Sequence, residues 1–402
     1  MRVTRGGDGA CVRTVVGIPA RNERATIASV AAAADAGLAE AGGDNLLVLA
    51  DNGSTDRTPE AFLGAGTATR QRVIHTGSLH TGKGTNLIAL VQAAVEHDAD
   101  RLILLDADVR SAEPAWIGRL AHAVDDAGPT LAAPTYRRNR YEASTTNHLA
   151  GPLVAALFGM PLQQPIGGEF ALNRPLLARV AEWPRPASAE FYGIDIWLTA
   201  NTLREGHRIR EVPLGTKLHN SPFPKILRLP HQVLDSLFHV TLRLGRPQPS
   251  TLDVPLRRRE AVDNRSVRQD PVLVDHVADT VRGYLDSHSP EVHALFPNAA
   301  ALPPARWGLR IGTQDWPHLL ADGLEGLAAG HFAAARDHLI ALYVNRVLSF
   351  WEEIDGLCGV EVDALLDRQA NDTAKAVADR NLVFDGVTAS PTYDRGHWTG
   401  ID

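Results

Sequence analysis

Lysine is nearly missing from this 402-residue chain: Lys83, Lys217, Lys225 and Lys375 are the only four among 40 basic residues. A genome rich in Arg, Ala and Gly codons explains most of that skew, and it makes each lysine a position to inspect. Positive charge is also in deficit, because 47 acidic residues leave a net charge of −7, which argues against nucleic-acid binding through bulk charge. Cysteine is limited to Cys11 and Cys358. Two cysteines make no disulfide framework and suit a reducing cytoplasm. No apolar run approaches the ~18 residues of a membrane span. The longest candidate, LVAALFGMPL, is broken at Gly159 and Pro161. The opening MRVTRGGDGACVR has no apolar h-region, so a cytoplasmic location is expected.

What is present is ordinary for a globular protein: 44% hydrophobic and 22% charged residues, in a length that allows two to three domains at ~150 residues each. From about residue 12 to 110, short β-rich runs alternate with segments of helical period, the pattern of a parallel sheet covered by helices. The expected strands are RTVVGIPA, NLLVLAD, RVIHTG and RLILLDAD. A helix is expected from Arg24 to Ala41, capped by Asn22 and closed by Gly42 and Gly43. Another starts near Thr85, with Leu87, Leu90, Val91, Ala94 and Val95 on one stripe. Residues 131–245 mix a strand near LAAPTYRR, a loop-rich stretch to PIGGEFALNR, a helix over Ile194–Arg204, a strand near RIREVPLG and a helix after Pro224. They would complete the α/β domain begun by residues 1–130 and supply the second wall of a cleft. Residues 246–270 read as a Pro- and Arg-rich connector, and 271–402 as a helical domain with an irregular tail, its helices near 316–356 and 360–380.

Asp106 and Asp108 close the run LILLDAD. Two carboxylates at the C-terminal end of a buried strand can face the crevice where parallel sheets bind ligands, one reaching a ribose hydroxyl and one a divalent cation. Hard oxygen ligands suit Mg²⁺ or Mn²⁺, which would neutralise a diphosphate. The similar triplet Asp98-Ala99-Asp100 precedes the same strand and is expected at the wrong end of the sheet.

Asp51 opens DNGSTD after the second strand, where a carboxylate can accept from a nucleobase N–H; the same residues also suit a turn and helix cap. The loop Gly77–Gly84 brings Gly82 and Lys83 to a helix start, a phosphate-binding arrangement or a solvated loop. It is not a Walker A loop, since Gly84 stands where Ser or Thr is required. Gly167 and Gly168 allow backbone to approach a ligand ring, while Glu169 can accept sugar hydroxyls. Asp195 begins a helix, where an acidic residue is favoured in any case. His219 offers an imidazole to a metal, or is one of 16 surface and structural histidines. Arg137, Arg138 and Arg140 form a positive cluster suited to an anionic acceptor, or an Arg-rich surface loop.

In order, PARNERATIASV, LADNGSTDRT, HTGKGTN, LILLDADVRS, QPIGGEFALNR, YGID and KLHNSP resemble the GT-A glycosyltransferases that make glycosylglycerates, the mannosylglycerate and glucosyl-3-phosphoglycerate synthases. The set spans residues 14–245, and the helix containing LYVNRVLSFWEE extends the likeness to the mannosylglycerate type. The resemblance implies a GT-A fold, a Rossmann-like mixed sheet with a helical C-terminal domain. It implies a retaining hexosyltransferase that uses GDP-mannose or UDP-glucose with Mg²⁺ or Mn²⁺ and acts on D-glycerate or a related 2-hydroxy carboxylate. Glucosyl-3-phosphoglycerate synthesis is the runner-up. By motif match, Pro19, Ala20, Asn22, Glu23, Asp51, Gly82, Lys83, Asp106, Gly167 and Gly168 would bind the donor. Asp108 and His219 would ligate the metal; Arg137, Arg138, Arg140, Thr145 and Asp195 would serve the acceptor; and Asp106, Glu169 and Asp195 would line the reaction centre. No dedicated base is identified: the leaving phosphate oxygen can take the acceptor's proton, with Glu169 or Asp195 as nucleophile the less favoured route. The expected partners are thus a nucleotide sugar and a small anionic acceptor, with no nucleic acid and no membrane span; a homodimer is an open assembly. A sugar nucleotidyltransferase would need a Gly-rich phosphate loop where GIPARNE stands, and a non-catalytic nucleotide-sugar binder would show no turnover.

Overall fold

The computed structural model describes residues 13–77, 82–219, 223–248 and 269–384. Cys11, the loop residues 78–81, Asn220, most of the expected connector and the tail from 385 lie outside them. Along the chain run β1 (Thr14–Ala20), α1 (Ile27–Ala41), β2 (Asn45–Asp51), α2 (Thr58–Leu63), β3 (Arg70–His75), α3 (Lys83–Glu96), β4 (Arg101–Leu104), α4 (Pro114–Ala123) and β5 (Thr130–Arg137). Then come α5 (Gly151–Phe158), β6 (Ala171–Asn173), α6 (Arg174–Glu182), α7 (Ile194–Arg204), β7 (Arg208–Thr216) and α8 (Arg228–Thr241). The remainder holds α9 (Pro271–Ser287), α10 (Ser289–Leu295), the short hairpin β8 (Pro304–Ala305) and β9 (Gly308–Leu309), α11 (Trp316–Ala328), α12 (Phe332–Glu353) and α13 (Gly359–Asp379).

Seven strands form one sheet in the order β3-β2-β1-β4-β6-β5-β7. The β3, β2, β1 and β4 strands are parallel, and β6 runs antiparallel to both β4 and β5, so the sheet is mixed. Its core strands β1 and β2 are buried along their whole length, as continuous apolar runs covered on both faces require. Their register aligns Ala20 with Asp51 and Asp51 with His75. The ends of three strands and the start of α3 are thereby gathered at one edge of the sheet.

The chain divides into two compact units. One contains Met1–Pro134, Gly167–Pro184 and His207–His219, the sheet up to Pro134 of β5 with α1–α4 and α6; the other contains Thr135–Ile166, Arg185–Gly206 and Asn220–Asp402. In the second, α12 is buried at every position from Ala335 to Phe350. A helix buried all round is the core of a helical unit. No helix among the described residues is long and apolar enough to cross a membrane; α5, from the longest apolar run, is a buried eight-residue helix ended by Gly159 at φ +65°.

Three local expectations need correction. Asn22 does not cap α1, whose N-cap is Thr26; it takes a left-handed φ of +57° and spends its side chain on another loop. Val95 is half exposed although it shares the α3 stripe, because it lies in the last turn; Ala93 is buried instead. The fourth strand stops at Leu104, so Asp106 and Asp108 lie on the loop that leaves it.

Candidate active site

At the sheet edge, two motifs form one network. Asn22 donates its N–H to Ser54 Oγ at 2.8 Å and accepts the N–H of Thr55 on Oδ1 at 2.8 Å. The N–H of Glu23 goes to Thr58 Oγ1 at 2.8 Å, and that of Arg24 to Asp56 Oδ2 at 3.0 Å. The PARNER and DNGSTD segments are thus zipped together, which gives Asn22 a bracing task. Gly53, at φ +66°, and Gly77 approach so closely that a Cβ on Gly77 would stand 2.7 Å from the Gly53 nitrogen. Asp51 is buried at the end of β2. Its Oδ2 accepts the Ser54 N–H at 3.2 Å, whereas Oδ1 has no hydrogen-bond partner among the described residues. A buried carboxylate oxygen left over in this way is costly, and a base N–H would satisfy it.

Lys83 is the first residue of α3, with Gly82 as N-cap, so its ammonium adds to the positive end of the helix dipole. It lies 2.9 Å from Asp106 Oδ1. On the other side of that carboxylate, Lys217 donates to Asp106 Oδ2 at 3.0 Å. The same ammonium donates to both oxygens of Glu169 at 2.8 Å and to the Gly167 carbonyl at 2.9 Å. Burial alone would raise the Asp106 pKa, but the Lys217 and Lys83 ammoniums outweigh it and hold the carboxyl far below the usual carboxylate range. Gly168 makes the turn possible: its φ is +93°, and a Cβ there would fall 2.2 Å from Asp106 Oδ2.

Asp108 and His219 sit on neighbouring segments. The Arg110 N–H donates to the Leu218 carbonyl at 2.9 Å, the Leu218 N–H to Ser111 Oγ at 2.9 Å, and the Arg110 guanidinium to the His219 carbonyl at 3.3 Å. Both side chains are half-buried. One carboxylate and one imidazole suit a hard to borderline divalent cation whose other ligands come from water and substrate phosphates. Among the described residues no three His, Cys, Asp or Glu side chains converge as a metal cluster, in keeping with the commitment of Asp106 to two ammoniums. The other triplet, Asp98 and Asp100, lies before β4 as expected and pairs with Arg174.

The acceptor candidates belong to the second unit. Arg137 is exposed at the end of β5. Arg138 lies 5.4 Å over the Tyr136 ring and reaches Gln164 Oε1 at 3.4 Å. Arg140 is drawn away by a bond to the Leu357 carbonyl, and Thr145 meets the Tyr343 hydroxyl at 3.3 Å. Asp195 is buried in the first turn of α7. Pro19 and Ala20 are buried strand-end residues of β1, with the Ala20 carbonyl taken by the Asn52 N–H at 2.9 Å. Sequence reasoning missed Lys217 as a member of the site, although its rarity was the available signal.

Residues 15–174 match the model of glycosyl transferase family 2. A glucosyl-3-phosphoglycerate synthase of Mycolicibacterium paratuberculosis is 32% identical over 247 residues, covering 56% of this chain and 71% of that relative. Mannosylglycerate synthase of Rhodothermus marinus is 28% identical over 165 residues, covering 39% of this chain and 41% of that one. A crystal structure of glucosyl-3-phosphoglycerate synthase from Mycobacterium tuberculosis in complex with Mn²⁺, uridine diphosphate and phosphoglyceric acid is 26% identical, over 57% of this chain and 78% of that chain, at a TM-score of 0.47.

Proposed function

The chain belongs to the GT-A glycosyltransferase family of the glucosyl-3-phosphoglycerate and mannosylglycerate synthases, and from that premise we propose that it moves a glucosyl group from a nucleoside-diphosphate glucose to the free hydroxyl of 3-phosphoglycerate. The D-glycerate reading, favoured on motifs, gives way here. The phosphoglycerate-type relative matches 247 residues at 32% identity, against 165 at 28% for the mannosylglycerate type.

The observation that carries the transferase reading is the Asp106 carboxylate held between Lys83 and Lys217 beside a helix N-terminus. In the reaction, the bond from the anomeric carbon to the diphosphate oxygen breaks and a bond to the acceptor oxygen forms. The acceptor's proton passes to the leaving phosphate. The barrier is dominated by negative charge gathering on that diphosphate, and a preorganised ammonium at a helix start is built to meet it. Lys83 supplies it, exchanging one anion, Asp106, for another. Asp51 would read the base, and Asp106 Oδ1 would take a donor hydroxyl once Lys83 has turned to the phosphates. Asp108 and His219 would hold Mg²⁺ or Mn²⁺, which when bound neutralises diphosphate charge. Arg137 and Arg138 would attract the anionic acceptor.

The test is incubation of the purified chain with UDP-glucose or GDP-mannose and with 3-phosphoglycerate or D-glycerate, in Mg²⁺ or in chelator, with products assigned by NMR. Fastest turnover is expected for UDP-glucose with 3-phosphoglycerate, with an α-linked product and none in chelator. Turnover that survives chelation, or none with either acceptor, sinks the reading.

A further inference from the structure

Lys217 is buried, and its ammonium meets four oxygens: Asp106 Oδ2, both oxygens of Glu169 and the Gly167 carbonyl. It is placed by backbone on both sides. Thr216 ends β7 immediately before it, and Leu218 immediately after it is paired through its N–H and carbonyl to Ser111 and Arg110. By occupying Oδ2, it leaves Oδ1 as the oxygen of Asp106 on the Lys83 side. Glu169 is 0% exposed, with both oxygens on Lys217, and Oε1 also faces the Asp106 N–H at 3.4 Å. A carboxylate so enclosed has no face for a sugar.

We infer that Lys217 is a positioning residue for glycosyl transfer: it locks the Asp106 carboxylate so that Oδ1 is the oxygen offered to the donor, with Glu169 as its buried counter-ion rather than a nucleophile. The inference rests on the transferase reading above. A salt bridge that served only to fill the core would enclose all its members. Here Asp106 keeps 20% of its side chain exposed and shares itself with a second ammonium. Misplacing a reacting group by about 1 Å costs on the order of 10²-fold in rate, so a lock on one carboxylate is worth having.

The experiment compares Lys217→Met, Lys217→Arg and the neutral pair Lys217→Met/Glu169→Gln, reading kcat, the Kd for UDP with Mg²⁺, and thermal melting. Lys217→Met is expected to lower kcat by about 10²-fold with the UDP Kd changed by less than about threefold, and Lys217→Arg to recover part of that loss. The neutral pair, which leaves no uncompensated buried charge, should melt close to the unaltered protein yet keep the low kcat. A folded neutral pair with kcat near that of the unaltered protein overturns the lock. Glu169→Gln that loses turnover as completely as Asp108→Ala, with UDP binding intact, puts Glu169 on the reacting atoms and overturns its assignment. A melting cycle over Lys217→Met and Asp106→Asn needs no turnover: non-additivity supports the lock and additivity overturns it. If the unaltered protein transfers no sugar, the functional reading falls while this cycle still decides the lock.

Discussion

In the sheet unit, the Asp106 carboxylate stands between the ammoniums of Lys83 and Lys217; in the helical unit, the Arg336 guanidinium stands between the carboxylates of Asp235 and Asp337, at 2.7 and 2.9 Å. The second cluster continues to His231, 3.2 Å from Asp337, and to His239, 3.4 Å from Asp235. Both are triplets of alternating charge. They differ in enclosure: Arg336 and Asp235 are each 3% exposed and lie within the helices α12 and α8. Asp106 and Lys83 instead lie on loops and a helix start at the strand ends, where a ligand can reach them. The closed triplet ties α12 to α8, whereas an open one can trade a partner for a substrate.

The sharpest test of that contrast is Asp108→Ala, expected to reduce turnover by about 10³-fold or more with the melting temperature little changed. A folded Asp108→Ala enzyme of normal rate would remove the metal role. Next in size is Arg336→Met, which strands Asp235 and Asp337 without their shared cation and should cost about 3–5 kcal/mol in chemical denaturation, while kcat of the folded fraction stays within about twofold. Loss of rate without loss of stability would make the helical cluster functional. Lys83→Ala should lower kcat by about 10²–10³-fold, with little change in melting because Asp106 keeps Lys217. Gly168→Ala should destabilise by about 1–3 kcal/mol, since alanine resists φ +93° and its methyl meets Asp106. Its loss of rate should exceed what the unfolded fraction explains.

The smallest effect is acid sensitivity of the closed cluster. Burial raises the pKa values of Asp235 and Asp337, but the neighbouring His239 and His231 imidazoles and the charge of Arg336 outweigh it, so both lie below the ordinary 3.8. A carboxylate lowered in the folded state gives stability that is complete above the unfolded value and lost as pH falls through the folded one. Denaturation midpoints attributable to this cluster should therefore hold from pH 7 to 5 and decline below about 4. Replacing both aspartates by asparagine should remove that component of the decline.

Much of the sheet was legible because its signals are local and repetitive. The runs TVVGIPA and NLLVLAD, short, β-rich and set between helical segments, read as strands covered on both faces, and Ile194–Arg204 was expected to be helical at the bounds observed. Short elements such as β6, with three residues, and α2, with six, left too little periodicity to detect. Among the candidate site residues, Asp106 and Asp108 stood out by their place after a buried strand and Lys83 by its rarity at a helix start, whereas Asp51 and His219 were singled out only by the ordered motifs. Asn22 misled, because a side chain that can cap a helix can equally brace a loop, and only the position of Thr55 decides between them.

By itself the sequence determined the alternation of strands and helices, the carboxylates and lysine placed at strand ends, and the ordered motifs of a glycosyltransferase. All of these are written in spacing along the chain. Tertiary structure alone decided that Lys217, 48 residues from Glu169 and 111 from Asp106, would hold both carboxylates. Ion pairing acts through space over about 3–4 Å, and proximity between distant segments has no periodicity for a sequence to display.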